Sequence, residues 1–160
     1  MNRSQQIVSA EHAPSATPFH WKLRVYYEDT DAGGIVFYAN YLKFFERART
    51  EWLRAAGVGQ QLLAQEKQTI FVVSETSLQY HASARLDDEL CISVEVEKLG
   101  RASIQFKQNA WRGEQLLCSC KIRVGCIHNL SMRAQAIPAE VLQAIQQFQA
   151  KQGAQADLQY

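Results

Sequence analysis

Long apolar runs are missing from this 160-residue sequence: none approaches the ~18 consecutive residues that a membrane-spanning helix requires. The N-terminal segment does not read as a secretory leader. A leader would need ~7–15 contiguous apolar residues behind a basic start, whereas this segment carries apolar residues only singly or in pairs such as Ile7-Val8. Rich in Ser, Ala, Gln and Pro, residues 1–18 read as a poorly ordered tail, and the chain as cytoplasmic. An excess of either charge is absent. Lys+Arg 17 against Asp+Glu 16 leaves a net charge of +1, which excludes a strongly basic protein that tracks nucleic-acid phosphates. Neither G-x-G-x-x-G nor a Walker pattern occurs, nor any internal repeat, so the nucleotide folds built on those loops are excluded. Zinc-ligand spacing is lacking as well. Cys118 and Cys120 form Cys-x-Cys, Cys91 and Cys126 stand apart, and only His128 lies near them. All four cysteines sit in apolar, strand-like segments and read as buried, reduced thiols acting as small hydrophobes.

What remains is the composition of an ordinary globular domain, 47% hydrophobic and 21% charged, in a chain long enough to bury a core unaided. Trp21, Leu23, Val25 and Tyr27 alternate with Lys22 and Arg24, the pattern of a half-buried strand. Residues 28–34, acidic and ending in two glycines, break the alternation. Over residues 40–56 the period becomes helical, with Tyr41, Phe44, Phe45, Ala48, Trp52 and Ala55 forming a broad aromatic stripe. Asn40 reads as its N-cap and Gly57 as its stop, and residues 58–66 add a short helix. Four strands follow, near residues 70–80, 90–97, 102–111 and 116–126. In the first, Ile70, Val72, Ser74, Thr76, Leu78 and Tyr80 fall on one face. In the third, Ala102, Ile104, Phe106 and Ala110 do, and in the fourth, Leu116, Cys118, Cys120, Ile122, Val124 and Cys126. Leu99-Gly100-Arg101 and Arg112-Gly113-Glu114 are short enough for hairpin turns. Pro138 opens a terminal helix from Ala139 to about Ala150. The order predicts an α+β fold: a five-stranded antiparallel sheet wrapped round one long central helix, plus a C-terminal helix. The domain spans 19–150, and residues 151–160 form a flexible C-terminus.

The chemistry concentrates between the first strand and the long helix, in Glu28-Asp29-Thr30-Asp31-Ala32-Gly33-Gly34. A helix N-terminus presents unsatisfied N–H groups with partial positive charge, which can polarise a carbonyl or hold an oxyanion. A carboxylate opposite them can act as base or nucleophile. The bland alternative is a solvated acidic loop whose glycines make a tight turn. Of the histidines, His12 lies in the tail, while His20, His81 and His128 lie at or near strand ends and read as satisfied or exposed polar residues. Arg85, Lys98 and Arg101 lie near turns, either as solvated charges or as contacts for phosphates.

The run Asp29-Thr30-Asp31-Ala32-Gly33-Gly34-Ile35-Val36 with Phe37-Tyr38-Ala39-Asn40-Tyr41 resembles the hotdog-fold acyl-CoA thioesterases of the 4-hydroxybenzoyl-CoA thioesterase family. The run Tyr41-Leu42-Lys43-Phe44-Phe45-Glu46-Arg47-Ala48-Arg49-Thr50-Glu51 is similar to the central helix of its Tol-Pal-associated subgroup. Leu78-Gln79-Tyr80-His81-Ala82-Ser83-Ala84-Arg85-Leu86-Asp87-Asp88 is similar to that subgroup's next strand and turn. Across residues 20–140 the resemblance implies a thioester hydrolase acting on acyl-coenzyme A, or on acyl carrier protein, with no metal or bound cofactor. It implies Asp31 as the catalytic carboxylate, as nucleophile or base, and the backbone N–H of Tyr38 as donor to the thioester carbonyl. Gly34, Val36, Arg85 and Arg101 are the implied substrate-binding positions, Arg101 foremost for coenzyme A phosphates. Many members of the subgroup have His where this chain has Tyr38, so a side-chain acid–base role at that place is lost here. A homodimer or homotetramer with a shared site is implied, in keeping with the open sheet edge that one helix leaves. The rivals are a hotdog hydratase, disfavoured because no His lies between His20 and His81, and a non-catalytic acyl-thioester binder or scaffold at a membrane-lipid complex.

Overall fold

The computed structural model describes residues 18–157, and the side chains of 18–154. The expected tail, apart from Pro18, lies outside the described residues, as do residues 158–160. Strand β1 (Phe19–Arg24) is followed by a 3-10 turn (Tyr27–Asp29), helices α1 (Asn40–Ala55) and α2 (Gln60–Lys67), strands β2 (Thr69–Tyr80), β3 (Glu89–Leu99), β4 (Ser103–Arg112) and β5 (Gln115–His128), and helix α3 (Ala139–Asp157). The strands form one sheet in the order β1-β3-β4-β5-β2, with every pair antiparallel. Helix α1 lies across one face, burying Phe44, Phe45, Ala48 and Trp52 completely or nearly so against Leu90, Ile92, Ile104, Phe106 and Ile122. Each large apolar side chain so buried contributes about 1.5–3 kcal/mol. Trp52 meets Phe106 edge-on at 5.2 Å between ring centroids, and α3 closes the same side through Phe148, 6.4 Å from Trp52 and 6.3 Å from Phe19. This is the α+β arrangement expected from the periodicity and the hotdog fold that the resemblance implies.

Helix α1 ends as its sequence dictates. Gly57 adopts a left-handed φ of +89°, its N–H bonds Arg54 C=O at 3.0 Å, and Val58 N–H bonds Leu53 C=O at 2.9 Å. That pair of bonds is the Schellman stop, in which glycine takes the left-handed position without a Cβ clash. The start differs from expectation. Ala39 occupies the cap position, and Asn40 is the first helical residue, its side chain turned away to another use described below.

Other local readings are corrected. Tyr27 is not on β1; it opens the 3-10 turn and is 82% exposed. The cause is local competition for the backbone: Asp29 Oδ2 accepts the Tyr26 N–H at 2.8 Å and Thr30 Oγ1 bonds Tyr27 C=O at 2.9 Å. In β2 a bulge between Val73 and Glu75 shifts the register, so Phe71 and Val73, not Ile70 and Val72, share the core face with Thr76, Leu78 and Tyr80. A second irregularity, where Trp111 pairs Leu116 while Ala110 pairs Cys118, inserts Leu117 into β5. Leu117 is fully buried, and Leu116 only partly. Gln108, omitted from the apolar stripe of β4, lies fully buried on its core face. Finally, α3 continues to Asp157, because Lys, Gln and Ala after residue 150 are good helix formers despite Gly153.

Candidate functional site

The loop before α1 is a miniature hairpin. Thr30 and Val36 form a bridge, Asp31 N–H bonds Ile35 C=O at 2.9 Å, and Gly34 N–H bonds Asp31 C=O at 3.0 Å. The turn depends on Gly34, whose φ of +76° is strained for any residue with a side chain. The hairpin docks on the segment after β2: Ile35 bridges Arg85 and Val36 N–H bonds Ala84 C=O at 2.9 Å. Two carboxylates in it have opposite circumstances. Asp29 is buried, its Oδ1 accepting Asn40 Nδ2 at 2.8 Å and its Oδ2 the Tyr26 N–H at 2.8 Å. Asp31 is exposed. Its Oδ1 accepts the Gly33 N–H at 2.8 Å, and its Oδ2 has no hydrogen bond among the described residues. Asp29 thus ties the loop to α1, while Asp31 keeps an oxygen free.

Main-chain donors surround Tyr38 in an orderly way. Phe37 N–H bonds Asp29 C=O and Asn40 N–H bonds Phe37 C=O, at 2.9 and 2.8 Å. The Tyr38 N–H between them has no acceptor among the described residues. The peptide that carries this N–H is oriented by the Asn40 N–H on Phe37 C=O, and the next peptide by the Tyr80 hydroxyl, which donates to Tyr38 C=O at 2.8 Å. Beside it opens a hollow of about 280 Å³ lined by Val36, Tyr38, Tyr41, Tyr80, His81 and Ser83 among others. Tyr41, whose hydroxyl accepts the Ala84 N–H at 3.2 Å, has its pKa pushed up by burial. It is therefore a neutral wall group at physiological pH. His81, expected as a satisfied or exposed polar residue, is exposed. It does line the hollow, with Nε2 3.0 Å from Ser119 Oγ, and its N–H and that of Ala82 converge on Leu117 C=O. The buried thiols are inert, since burial pushes Cys118 and Cys120 up to about 12. All four cysteines are free. Among the described residues no group of three or more His, Cys, Asp or Glu is placed to hold a metal ion.

Of the residues expected to bind substrate, Gly34, Val36 and Arg85 gather with Asp31 and Tyr38 round this loop. Arg85 leaves its guanidinium side exposed while its N–H bonds Asp88 Oδ2 at 2.8 Å. Arg101 is not brought there. It follows β3, whereas Arg85 precedes it, so the 11 residues of β3 separate them by roughly 30 Å within one chain. Sequence reading gave no role to Tyr80, which orients Tyr38, nor to Asn40 as the anchor of Asp29. Both contacts cross between elements, and no spacing rule reveals them.

The candidate site thus comprises Asp31 with its unbonded Oδ2, the Tyr38 N–H two residues ahead of α1, and a hollow that Tyr38 lines. The chain is matched over residues 33–119 by the model of the thioesterase superfamily, and it belongs to that family. It is 45% identical over 123 residues, 77% of this chain and 90% of the relative, to acyl-CoA thioesterase YbgC of Haemophilus influenzae. It is 42% identical over 134 residues, 83% of this chain and 99% of the relative, to acyl-CoA thioester hydrolase YbgC of Escherichia coli O157:H7. The crystal structure of a probable thioesterase from Bartonella henselae superposes with a TM-score of 0.73 at 31% identity, covering 76% of this chain and all of that one, 100%. The chain is a thioester hydrolase, and among its described residues no helix is long and apolar enough to cross a membrane.

Proposed function

We propose that this chain hydrolyses the thioester of an acyl-coenzyme A to the free acid and coenzyme A, with acyl carrier protein as a second carrier of the acyl group. The observation that carries the reading is the Tyr38 N–H, without an acceptor among the described residues, on a residue that lines the hollow and in a peptide held by the Asn40 N–H on Phe37 C=O. A thioester carbonyl oxygen accepts from this N–H, and the bond strengthens as that oxygen gains negative charge. Asp31 then acts on the carbonyl carbon. As nucleophile it forms an acyl–carboxylate anhydride, expels the thiolate of coenzyme A, and is freed by water. As general base it takes a proton from water, which adds directly, and the thiolate leaves from the tetrahedral intermediate. Gly34 lets the chain turn closely beneath the substrate, Val36 supplies an apolar wall, and Arg85 offers an exposed cation for the phosphates of coenzyme A.

The subunit arrangement belongs to the same proposal. The two edges of the sheet are unlike. Strand β1 is 6 residues long and carries His20, Lys22 and Arg24. Strand β2 is 12 residues long and carries one charge, Glu75. A long edge so lightly charged is covered in stable proteins. Antiparallel pairing of β2 with β2 of a second copy covers it about a twofold axis, giving a homodimer, or a homotetramer if dimers associate. It also carries Arg101 of one copy toward the site end of the other. A cytoplasmic setting, supported by the four free thiols, and association with the Tol-Pal system, supported by likeness to that subgroup's central helix, complete the reading.

Release of free thiol from acyl-CoA by purified protein tests the chemistry. Asp31→Asn, with an unchanged circular dichroism spectrum, should lose about 10²–10⁴ in kcat. Turnover within a few-fold of the parent would remove Asp31 from the mechanism.

A further inference from the structure

Arg49 is an anomaly in the core. It projects from the middle of α1, is 9% exposed, and among the described residues makes one hydrogen bond, from Nη1 to Gln108 Oε1 at 2.9 Å. Gln108, itself fully buried, donates Nε2 to Phe45 C=O at 3.1 Å. That second bond fixes the amide with its oxygen toward the guanidinium. No carboxylate lies within ion-pair distance of Arg49 among the described residues. A buried cation with one neutral partner is costly unless something else accepts its remaining N–H groups. Those groups are not sealed in. They reach a cleft of about 130 Å³ whose floor is Phe71, Val73, Ile104, Phe106 and Val124. At its rim Gln60 Nε2 donates to Thr50 Oγ1 at 3.0 Å, and Thr50 Oγ1 donates to Glu46 at 2.9 Å. Glu46 is exposed and already bonded, so water screens its charge. The guanidinium inside is screened far less. Burial also holds its pKa below the usual arginine range, with Cys120 and Glu46 opposing, and it remains charged.

A cleft with an apolar floor and a nine-tenths-buried cation in its lining fits a chain of carbon atoms that terminates in a carboxylate. The fold indicates which thioester such a chain would belong to. Tyr80, at one end of β2, bonds Tyr38; Phe71 and Val73, near the other end, line the Arg49 cleft. In an antiparallel pairing of two β2 strands, the Phe71 end of one copy lies alongside the Tyr80 end of the other. The Arg49 cleft of one copy then stands next to the thioester hollow of its partner.

Resting on the acyl-CoA reading above, we propose that the Arg49 cleft receives the far end of the acyl group held in the second copy's hollow, and that this end carries a carboxylate. The preferred substrates are thus the half-thioesters of dicarboxylic acids.

The test compares kcat/KM for succinyl-, glutaryl- and adipoyl-CoA with butyryl-, pentanoyl- and hexanoyl-CoA, using ω-hydroxyacyl thioesters as neutral controls. The parent should favour a carboxylated thioester over its plain counterpart by about 10- to 100-fold at the best length, the effect of a charge-assisted hydrogen bond out of water. In Arg49→Gln this ratio should collapse to about one, and Arg49→Lys should recover part of it. Equal rates on plain and carboxylated thioesters in the parent would overturn the inference while leaving the hydrolase reading intact, and no hydrolysis of any thioester would overturn that reading instead. Should Arg49→Gln fail to fold, the parent comparison and Arg49→Lys still decide. If the parent shows no preference and Arg49→Gln dissociates the oligomer in light scattering, the occupant is the second copy's own acidic group, and the inference falls.

Discussion

Asp29 and Asp31 stand two residues apart in the same loop and do different work. Asp29 has both oxygens engaged, by Tyr26 N–H and by Asn40 Nδ2, in a buried setting. An asparagine there keeps one acceptor and turns an NH₂ toward a donor, leaving a buried N–H unsatisfied. Asp29→Asn should therefore lower stability by about 2 kcal/mol, read as a drop in the urea midpoint. Below its unfolding transition the variant should keep turnover within about 10-fold of the parent, because no step of the proposed chemistry uses this carboxylate. Asp31→Asn should behave in the opposite way, stable and inactive. If Asp29→Asn were as stable as the parent but as inactive as Asp31→Asn, the roles given to the two would have to be exchanged. The sequence made Asp31 visible only through its resemblance to a family. Composition and spacing alone present three equivalent acids, and the distinction comes from an asparagine eleven residues downstream.

At the scale of elements, the site rests on the connection between β2 and β3. Asp88 sits at its end, and its Oδ2 accepts the Arg85 N–H at 2.8 Å and Arg112 Nη1 at 2.7 Å. Arg112 also reaches Ser83 C=O at 3.2 Å, so the end of β4 holds the segment on which the Asp31 hairpin docks. Burial pushes the Asp88 carboxyl up, yet the hydrogen bonds and charge of Arg85 and Arg112 prevail and hold it below the usual carboxylate value. A group with a lower pKa folded than unfolded stabilises fully above the unfolded value of about 3.9, and the contribution is lost as pH falls through the folded value. Between about pH 5 and pH 2 the parent should thus lose more stability than Asp88→Asn, measured as urea midpoints against pH; parallel curves would contradict the ion pair. Periodicity made the elements themselves legible, from the aromatic stripe of α1 to the alternation of β3. It missed the bulges at Ser74 and Leu117, because each adds one residue that fits either face. It also passed over Gln108, because a buried glutamine looks like a break in an apolar stripe unless its partner on another element is known.

The whole molecule raises a question of assembly that one chain cannot answer alone. Its proposed reacting groups lie at one end of β2, its buried arginine near the other, and β2 is an edge of the sheet. A twofold through β2 resolves all three, because each site then takes Asp31 and Tyr38 from one copy and the Arg49 cleft from the other. Light scattering at micromolar concentration should give at least twice 18.2 kDa. The sharper measurement is complementation. Asp31→Asn copies retain an intact cleft, and Arg49→Gln copies retain an intact carboxylate. In a mixed dimer one of the two sites receives both sound halves, and the other receives both lesions. With random exchange, half the dimers are mixed, so hydrolysis of a carboxylated thioester should recover to roughly a quarter of the parent's rate from two preparations that each retain about a tenth of it or less. Exchange is verified independently by mass spectrometry of differently tagged copies. Recovery requires that the two lesions lie in different chains of one site. If exchange is complete and the mixture stays as inactive as its components, each site is built from a single chain and the twofold arrangement through β2 is wrong.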